Sequence, residues 1–579
     1  MSVNLPSKIY TRLDRIAYSF ERNSSILVFS VMVLLACFQI VTRKFFNYSV
    51  LGVSEYLQHG TLWLTFAGAS LAAHRGRHLK LSTGVFLPGR FKNATRVFHA
   101  STTLLVFIAF CIGGISLAIM EMENPITVAP FLPTWGALLC MPVFLLIAGI
   151  RIFYRQSKTW YFFVAIIFCT AILMCIGFVP PDNRAWLVVP GLIILVLAVL
   201  SGAPLFVFLG GSGLLLFFTA DIPLSAVPSE TYRMVASPNL PTIPLFTLAG
   251  CILADGGASG RLVGLFRSLF GWMPGGIAIA ATVVCAFFTT FTGASGVTIL
   301  ALGGILLPIL LKEKYNGKFS LGLVTSSGSV GLLFPPALPI ILYAVVAGIP
   351  IDKMFIAGLT PGLLLLFFTI GYAIYIYKKE KIRPIPFSFP NILEALKVAK
   401  WDIAIPFIIL FGIFGGLATV VETAAVTVLY TVCIECFVHR KLSLFHDLPR
   451  TITKAVILIG GIMIILGFAF GFTSYLVDAE IPSFILEWVE NTFSSKILFL
   501  IALNIFLVLV GCIMDIFSAI VVIVPIMIPL AALFGIDPVH LGIIFLVNME
   551  LGYLTPPVGL NLFLAAFRFS KPLTEIYRP

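Results

Sequence analysis

The sequence predicts an all-α polytopic membrane protein with about 14 transmembrane helices, two re-entrant helical hairpins and an inverted internal repeat. Three observations predict it. Residues of the AVILMFWYC class make up 59% of the 579-residue chain and charged residues 11%, at a mean hydropathy of +1.07. Soluble domains carry about 25% charge, so this chain lacks the side chains to coat a water-facing surface. The basic residues fall in alternate loops, and two distant stretches share the same breaks at a constant offset.

The amino-terminal 25 residues carry Lys8, Arg12, Arg15 and Arg22 ahead of an apolar run from Ile26 to about Val41. No small-residue cleavage site follows that run, so it reads as an uncleaved first helix with a cytoplasmic start. Further runs long enough to cross a bilayer lie near 56–73, 98–120, 133–150, 160–179, 187–200, 205–220 and 242–258. Others lie near 319–350, 355–377, 402–420, 421–438, 455–477 and 539–567. The apolar stretches 274–311 and 497–533 are read as hairpins that enter and leave on one side.

The charges test this assignment. The proposed inner segments 1–25, 74–97, 151–158, 259–271, 312–318, 378–400, 439–454 and 568–579 hold 31 of the 37 Lys and Arg residues. Arg43, Lys44, Arg184, Arg233, Lys353 and Lys496 fall elsewhere. This is the positive-inside bias, with both termini cytoplasmic, and counting either hairpin as one crossing would invert every loop after it. The formal charge of +12 is therefore a topology signal. It calls for membrane lipid and no nucleic-acid partner.

Two modules follow. Residues 1–155 form a small block of four helices, and residues 187–579 form a larger block interrupted repeatedly by Gly and Pro. A connecting helix within 156–186, about Trp160–Phe178, lets the first block end inside and the second begin outside. The cysteines, such as Cys37, Cys111, Cys169 and Cys512, sit mostly inside apolar runs and read as small core residues.

An offset of 221 residues aligns two units, about 241–377 and 455–570. Pro308 falls on Pro529, Gly331 on Gly552, and Leu333-Phe334-Pro335-Pro336 on Leu554-Thr555-Pro556-Pro557. On the predicted topology the units start on opposite sides. Inverted repeats with broken helices are the plan of secondary transporters, with the site near the midplane.

Each unit has a hairpin and then a helix broken by Pro-Pro. The first tip is Thr292-Gly293-Ala294-Ser295-Gly296 and the second is Ile513-Met514-Asp515-Ile516-Phe517. Irregular backbone at that depth survives only when buried in protein or lining a wet cavity, and it offers hard oxygen ligands suited to Na+. The breaks follow Thr325-Ser326-Ser327-Gly328-Ser329 and Asn548-Met549-Glu550-Leu551-Gly552. Proline removes backbone donors, so carbonyls one turn upstream lose their partners. Charges at membrane depth are few: Asp255, Glu435, Asp515 and Glu550, with Glu422 near a helix end. A buried carboxylate in a membrane is functional by default. Asp515 stands out, near a cation or as organiser of its tip. Glu550 reads equally as cation ligand or structural group, and Glu435 as a structural residue reaching the interface.

These features resemble the membrane part of a tripartite ATP-independent periplasmic (TRAP) transporter. The residues that carry the resemblance are Phe291-Thr-Gly-Ala-Ser-Gly, Ala301-Leu-Gly-Gly-Ile-Leu-Leu-Pro308 and Gly331-Leu-Leu-Phe-Pro-Pro, with Glu422-Thr-Ala-Ala-Val-Thr-Val-Leu-Tyr430 and Gly552-Tyr-Leu-Thr-Pro-Pro-Val-Gly-Leu-Asn-Leu-Phe563. The four-helix start resembles the small membrane subunit of the same family, which implies a fusion of small and large subunits. The resemblance implies Na+-driven uptake of an organic acid anion, delivered by a periplasmic substrate-binding protein across the bacterial inner membrane by an elevator movement. It also implies two or more Na+ sites. One would use Gly293 and Ser295 with Ser326, Ser327 and Gly328, and the other Met514 and Asp515 with Gly552 and Thr555. Substrate would sit near Ser295, Thr298, Ser327 and Asn548. The chain departs from the family pattern at Ala294, Thr298 and Ala337.

A stand-alone Na+/carboxylate symporter is the nearest alternative and an ion channel the next. An enzyme is not expected, because the seven His residues offer no paired intramembrane haem ligands and no Walker loop is present.

Overall fold

A computed structural model describes residues 7–76, 92–123, 125–130, 132–156, 180–234, 237–382, 384, 386–493, 495–556, 559–569, 571 and 573–576. The expected connecting helix Trp160–Phe178 and most of the loop 74–97 lie outside these residues.

The chain begins with α1 (Ser7–Phe46), α2 (Val53–Arg75) and α3 (Lys92–Glu123). A two-stranded antiparallel ribbon (β1 Thr127–Ala129, β2 Leu132–Pro133) leads into α4 (Thr134–Leu138) and α5 (Cys140–Gln156). Next come α6 (Val188–Leu200), α7 (Leu205–Thr219) and α8 (Ala226–Arg233). The first unit of the repeat holds α9 (Thr242–Asp255), α10 (Ala258–Phe270), α11 (Gly276–Thr292), α12 (Ser295–Lys312), α13 (Gly317–Val330) and α14 (Leu338–Ala347). The middle helices are α15 (Ile351–Glu380), α16 (Phe389–Phe414) and α17 (Val420–Cys433), the last running into a π-helical turn, Ile434–Val438. The second unit holds α18 (Asp447–Asp478), α19 (Ile481–Thr492), α20 (Lys496–Ile513), α21 (Ile516–Leu533), α22 (Pro538–Tyr553) and α23 (Leu560–Phe569). A short α24 (Leu573–Ile576) follows.

The 221-residue offset recurs in the element boundaries. Helices α12 and α21 begin and end 221 residues apart, α11 and α20 end 221 apart, and α13 and α22 begin 221 apart. Local chemistry sets several of these ends. Asp537 caps α22 through the N–H groups of Val539 and His540, with Pro538 in the first turn where its missing donor is harmless. Thr419 and Glu422 close a reciprocal capping box at the start of α17.

By Cα packing the chain divides into two compact units, residues 1–244 with 453–487, and residues 245–452 with 488–579. Three helices carry the divisions: α9, α18 and α19.

In the first unit, α1, α2, α3 and α5 pack together around Arg151 of α5. Its Nε donates to Asp14 Oδ1 (2.8 Å), and its Nη1 donates to Glu21 Oε2 (2.7 Å) and to the Ser70 carbonyl and hydroxyl (both 3.0 Å). Arg151 and Glu21 are both buried, which an ionised pair tolerates only when its hydrogen bonds are made. Residues of α18 in this unit meet α2 with no side chain between them. A Cβ on Gly68 would lie 2.2 Å from the Val456 carbonyl oxygen, and one on Gly460 would lie 2.2 Å from the Gly68 carbonyl carbon. Small residues permit such backbone approach between membrane helices. His59 of α2 adds a polar tie, its Nε2 lying 2.8 Å from the Tyr232 hydroxyl on α8.

In the second unit, α11, α12 and α13 share an apolar core that includes Val284, Phe288, Leu302, Leu306 and Val324. Helices α9 and α10 meet at a 73° bend over Gly256 and Gly257. Arg261 of α10 holds that bend. It donates to the Gly256 carbonyl (3.0 Å), forks onto both carboxylate oxygens of Asp402 (2.7 and 2.8 Å) and pairs with Glu435 of the π-helical turn. Glu435 thus spends its charge on Arg261, and it is fully buried. Asp255, beside the bend, accepts from the Thr451 hydroxyl at 2.7 Å.

Among the described residues, nine helices are long and apolar enough to cross a membrane, or up to eleven if each of two bent pairs is one span. The nine include α12, α20 and α21, the hairpin arms expected not to cross. A helix of 18 residues is about 27 Å long and matches a hydrocarbon core of about 30 Å, so length does not separate a re-entrant arm from a span. Several expected crossings, such as α6, α7 and α22, are shorter apolar helices of 10–17 residues. Six of the nine coincide with expected crossings, and the other three are hairpin arms.

Candidate functional site

The first tip consists of Gly293 and Ala294 between α11 and α12. Gly293 has φ +65°, a left-handed conformation that glycine adopts without strain, and a Cβ there would lie 2.4 Å from Leu338 Cγ. The broken helix runs from α13 through a 3-10 turn, Gly331–Leu333, past Pro335-Pro336 and into α14. Tip and break are joined by hydroxyl groups. The Thr289 hydroxyl donates to the Gly328 carbonyl (2.8 Å) and lies 2.6 Å from the Thr298 hydroxyl. The Thr290 hydroxyl donates to the Gly331 carbonyl at 3.1 Å. Close packing completes the joint: a Cβ on Gly328 would stand 3.3 Å from the Ser295 carbonyl oxygen, and one on Gly331 2.2 Å from that of Ala286. The carbonyls exposed by the break are thus met by threonine side chains of the hairpin.

Ser295, the first residue of α12, faces the other broken helix. Its hydroxyl donates to Asn561 Oδ1 on α23 at 2.7 Å. Asn561 is fully buried, and its Nδ2 has no hydrogen-bond partner. Gly296 continues the contact, because a Cβ there would lie 2.3 Å from Leu564 of the same helix.

The second tip is built differently. Asp515 caps α21, accepting from Ser518 N (3.0 Å) and from the Ser518 hydroxyl. The next amide, Ile516 N–H, donates to the Tyr553 hydroxyl at the end of α22. Helices α20 and α22 cross at bare backbone, where a Cβ on Gly552 would lie 2.5 Å from Gly511 Cα. Gly559 N–H reaches the Cys512 carbonyl at 3.2 Å.

Of the expected site residues, Gly293, Ser295, Thr298 and Gly328 come together at the first tip. Ser326 and Thr555 turn their hydroxyls back onto their own helices, to the carbonyls of Leu323 (3.3 Å) and Leu551 (2.7 Å). Ser327 faces Thr282 of α11 at 3.4 Å. Asn548 donates to Asn504 Oδ1 on α20 (2.6 Å) and to the Ile544 carbonyl, and no contact joins it to Ser295 or Ser327 among the described residues. Met514, Asp515 and Gly552 lie at the second tip and its crossing. Sequence reasoning missed Thr289, Thr290, Asn504, Tyr553 and Asn561. Thr289 and Thr290 stand within one turn of the tip, which was the available signal.

Chemically, the first joint gathers neutral oxygens: main-chain carbonyls of Ser295 and Gly328 with the hydroxyls of Thr289 and Thr298. Such oxygens are hard donors of the kind a monovalent cation takes. No group of three or more His, Cys, Asp or Glu residues suited to a metal ion occurs among the described residues.

Two hairpins, each docked on a helix broken at its middle, inside a polytopic helical protein, define a membrane permease. Residues 192–578 match the family "Tripartite ATP-independent periplasmic transporter, DctM component", and residues 32–160 match the DctQ component of the same transporters. The chain belongs to the TRAP transporter family and carries its small and large membrane components fused in one polypeptide; it is a multi-pass inner-membrane protein. It is 33% identical over 63% of its length to the isethionate TRAP transporter permease protein DctMQ of Oleidesulfovibrio alaskensis, and spans 58% of that relative. It is 35% identical to the C4-dicarboxylate TRAP transporter large permease protein DctM of Pseudomonas aeruginosa, over 64% of this chain and 86% of that one. It is 30% identical to the ectoine TRAP transporter large permease protein TeaC of Halomonas elongata, over 66% of this chain and 90% of that one.

Proposed function

We propose that the protein imports an organic acid anion, delivered by a periplasmic substrate-binding protein, in symport with Na+. The observation that carries this reading is the joint at the first tip, where the hairpin meets its own broken helix through Thr289, Thr298 and Gly328. From the same tip Ser295 meets the other broken helix at Asn561. A single oxygen-rich point thereby touches both units of the repeat, as a site shared by ion and substrate requires. One Na+ is assigned to Gly293, Ser295, Ser326, Ser327 and Gly328, and a second to Met514, Asp515, Gly552 and Thr555. Substrate is assigned to the vicinity of Ser295, Thr298, Ser327 and Asn548.

The movement is read as an elevator, with opposed units and both termini cytoplasmic. Support comes from the division of the chain: both hairpins and both broken helices fall in one compact unit, while the small block falls in the other. The substrate is an organic acid of a class left open by relatives named for isethionate, C4-dicarboxylates and ectoine.

The test is uptake into proteoliposomes with the binding protein and an imposed Na+ gradient. Uptake that needs both establishes the reading. Uptake without the binding protein makes the chain a stand-alone symporter, and steady current without substrate makes it a channel.

A further inference from the structure

The cysteines read from the sequence as core residues, and one pair departs from that pattern. Cys433-Ile434-Glu435-Cys436 is a Cys-x-x-Cys run at the junction of α17 and the π-helical turn. Cys433 is the one exposed cysteine among the described residues, Cys436 is half-buried, and both are free thiols. The other described cysteines are partly or fully buried and stand far apart in sequence. Residues three apart on a helix are neighbours, so Cys433 and Cys436 rise from the same face one turn apart.

Between them lies one member of a buried ion-pair cluster. Glu435 is fully buried and pairs with Arg261, which forks onto Asp402 and donates to the Gly256 carbonyl. The Glu435 carboxyl also rests on the α9–α10 bend itself, since a Cβ on Gly256 would lie 2.3 Å from Glu435 Cδ. The backbone that aims it is the π-helical turn. That turn is closed by His439 N–H on the Ile434 carbonyl (2.8 Å) and followed by Lys441 N–H on the Glu435 carbonyl (2.9 Å). Such wide turns inside helices are frequent at functional sites. On the predicted topology this one opens on the cytoplasmic side, where thiols are kept reduced and disulfides are mostly transient and redox-sensing.

We propose that Cys433 and Cys436 form a reversible disulfide whose formation loosens the hold of Glu435 on Arg261 at the bend. The oxidant is a low-molecular-weight disulfide. The thiolate of Cys433, the accessible one, attacks a sulfur of that disulfide and expels one small thiolate. Cys436 then attacks the Cys433 sulfur and expels the second. Two protein thiols are oxidised, and one small disulfide is reduced to two thiols that carry away the two protons. Geometry couples the new bond to the bend. Cβ atoms three apart on a helix stand about 5–6 Å from each other, whereas a disulfide holds them about 3.5–4.5 Å apart. The turn must draw in to close, and Glu435 lies inside the closed loop. A loop this short gains little from chain entropy, so the strain is not offset and the oxidised form is the less stable one.

The experiment is a titration of the purified full-length protein with oxidised against reduced glutathione, read by peptide mass mapping after alkylation and by thermal unfolding in detergent. In the oxidised sample the peptide holding both cysteines should escape alkylation and be lighter by two hydrogens, and dithiothreitol should restore it. The unfolding temperature should fall by several degrees on oxidation. The double variant Cys433→Ser, Cys436→Ser should unfold with the reduced wild type and ignore the oxidant; an equal fall in that variant places the effect elsewhere and overturns the proposal. Both cysteines alkylated at every glutathione ratio, or glutathione retained on Cys433 as a lasting mixed disulfide, likewise overturns it. An oxidised protein that unfolds at an unchanged or higher temperature refutes the link to the bend. Glu435→Gln lacks the charge on Arg261 from the start, so oxidation should shift it far less, and a full shift there also refutes the link. Both readouts are free of substrate, binding protein and transport.

Discussion

Ser295 and Asn561 lie 266 positions apart in sequence and share one hydrogen bond of 2.7 Å, the first residue of one hairpin arm donating to the broken helix of the other unit. Neither residue has another side-chain partner among the described contacts. The bond is therefore separable from the rest of the site.

A double-mutant cycle tests it. Ser295→Ala and Asn561→Ala should each lower Na+-driven uptake, and the double variant should be little worse than either alone. The expected coupling energy is about 0.5–3 kcal/mol, the range for residues in direct contact. Strictly additive losses would mean that the two act on different steps.

Thr298 offers a finer change. Thr298→Val keeps the branched shape but removes the hydroxyl lying 2.6 Å from that of Thr289, which in turn donates to the Gly328 carbonyl. Half-maximal Na+ for uptake should rise several-fold in Thr298→Val and stay near the wild-type value in Thr298→Ser. An unchanged Na+ activation curve in both variants would show that the Thr298–Thr289 contact does not support the cation site at Gly328.

Arg261 is expected to be structural. Arg261→Met leaves Asp402 and Glu435 buried against each other without their cation, and losing one partner of such a group costs about 3–5 kcal/mol. Thermal unfolding in detergent should fall well below wild type. Arg261→Lys keeps the charge but cannot fork onto Asp402, so it should lie between the two. A Met variant as stable as wild type would show that the triad does not hold the α9–α10 bend.

Gly68 is a steric test. Gly68→Ala forces a methyl group to within 2.2 Å of the Val456 carbonyl oxygen, so α2 and α18 must separate. Overpacking of this kind typically costs about 1–3 kcal/mol, readable as a lower unfolding temperature. Gly264, where an added Cβ would meet nothing within 4 Å, is the matched control at which alanine should be neutral or better.

Much of this architecture was legible in the sequence because it rests on backbone chemistry. Gly293, the Pro-Pro breaks and the 221-residue register announce where helices must stop, and the helices stop there. The partners were not legible. Thr289 and Thr290 stand within one turn of the first tip, but the carbonyls they reach lie 39 and 41 residues away, and nothing local names those partners. Arg261 counts in the charge ledger as one more cytoplasmic basic residue, while its acids lie 141 and 174 positions further on. Glu435 reads as an interfacial side chain, and only the folded chain brings it under Arg261. Asn561 falls within a family motif that gives it no evident role, since its use depends on where the opposite hairpin ends.

The glycine crossing between α2 and α18 bears on interchangeability. Where two main chains touch directly, fit is decided by the absence of atoms, and an absent side chain cannot adapt to a new neighbour. An amino-terminal block grafted from another member would seat on this chain only if it brought a glycine to the place of Gly68, however well its remaining surface agreed.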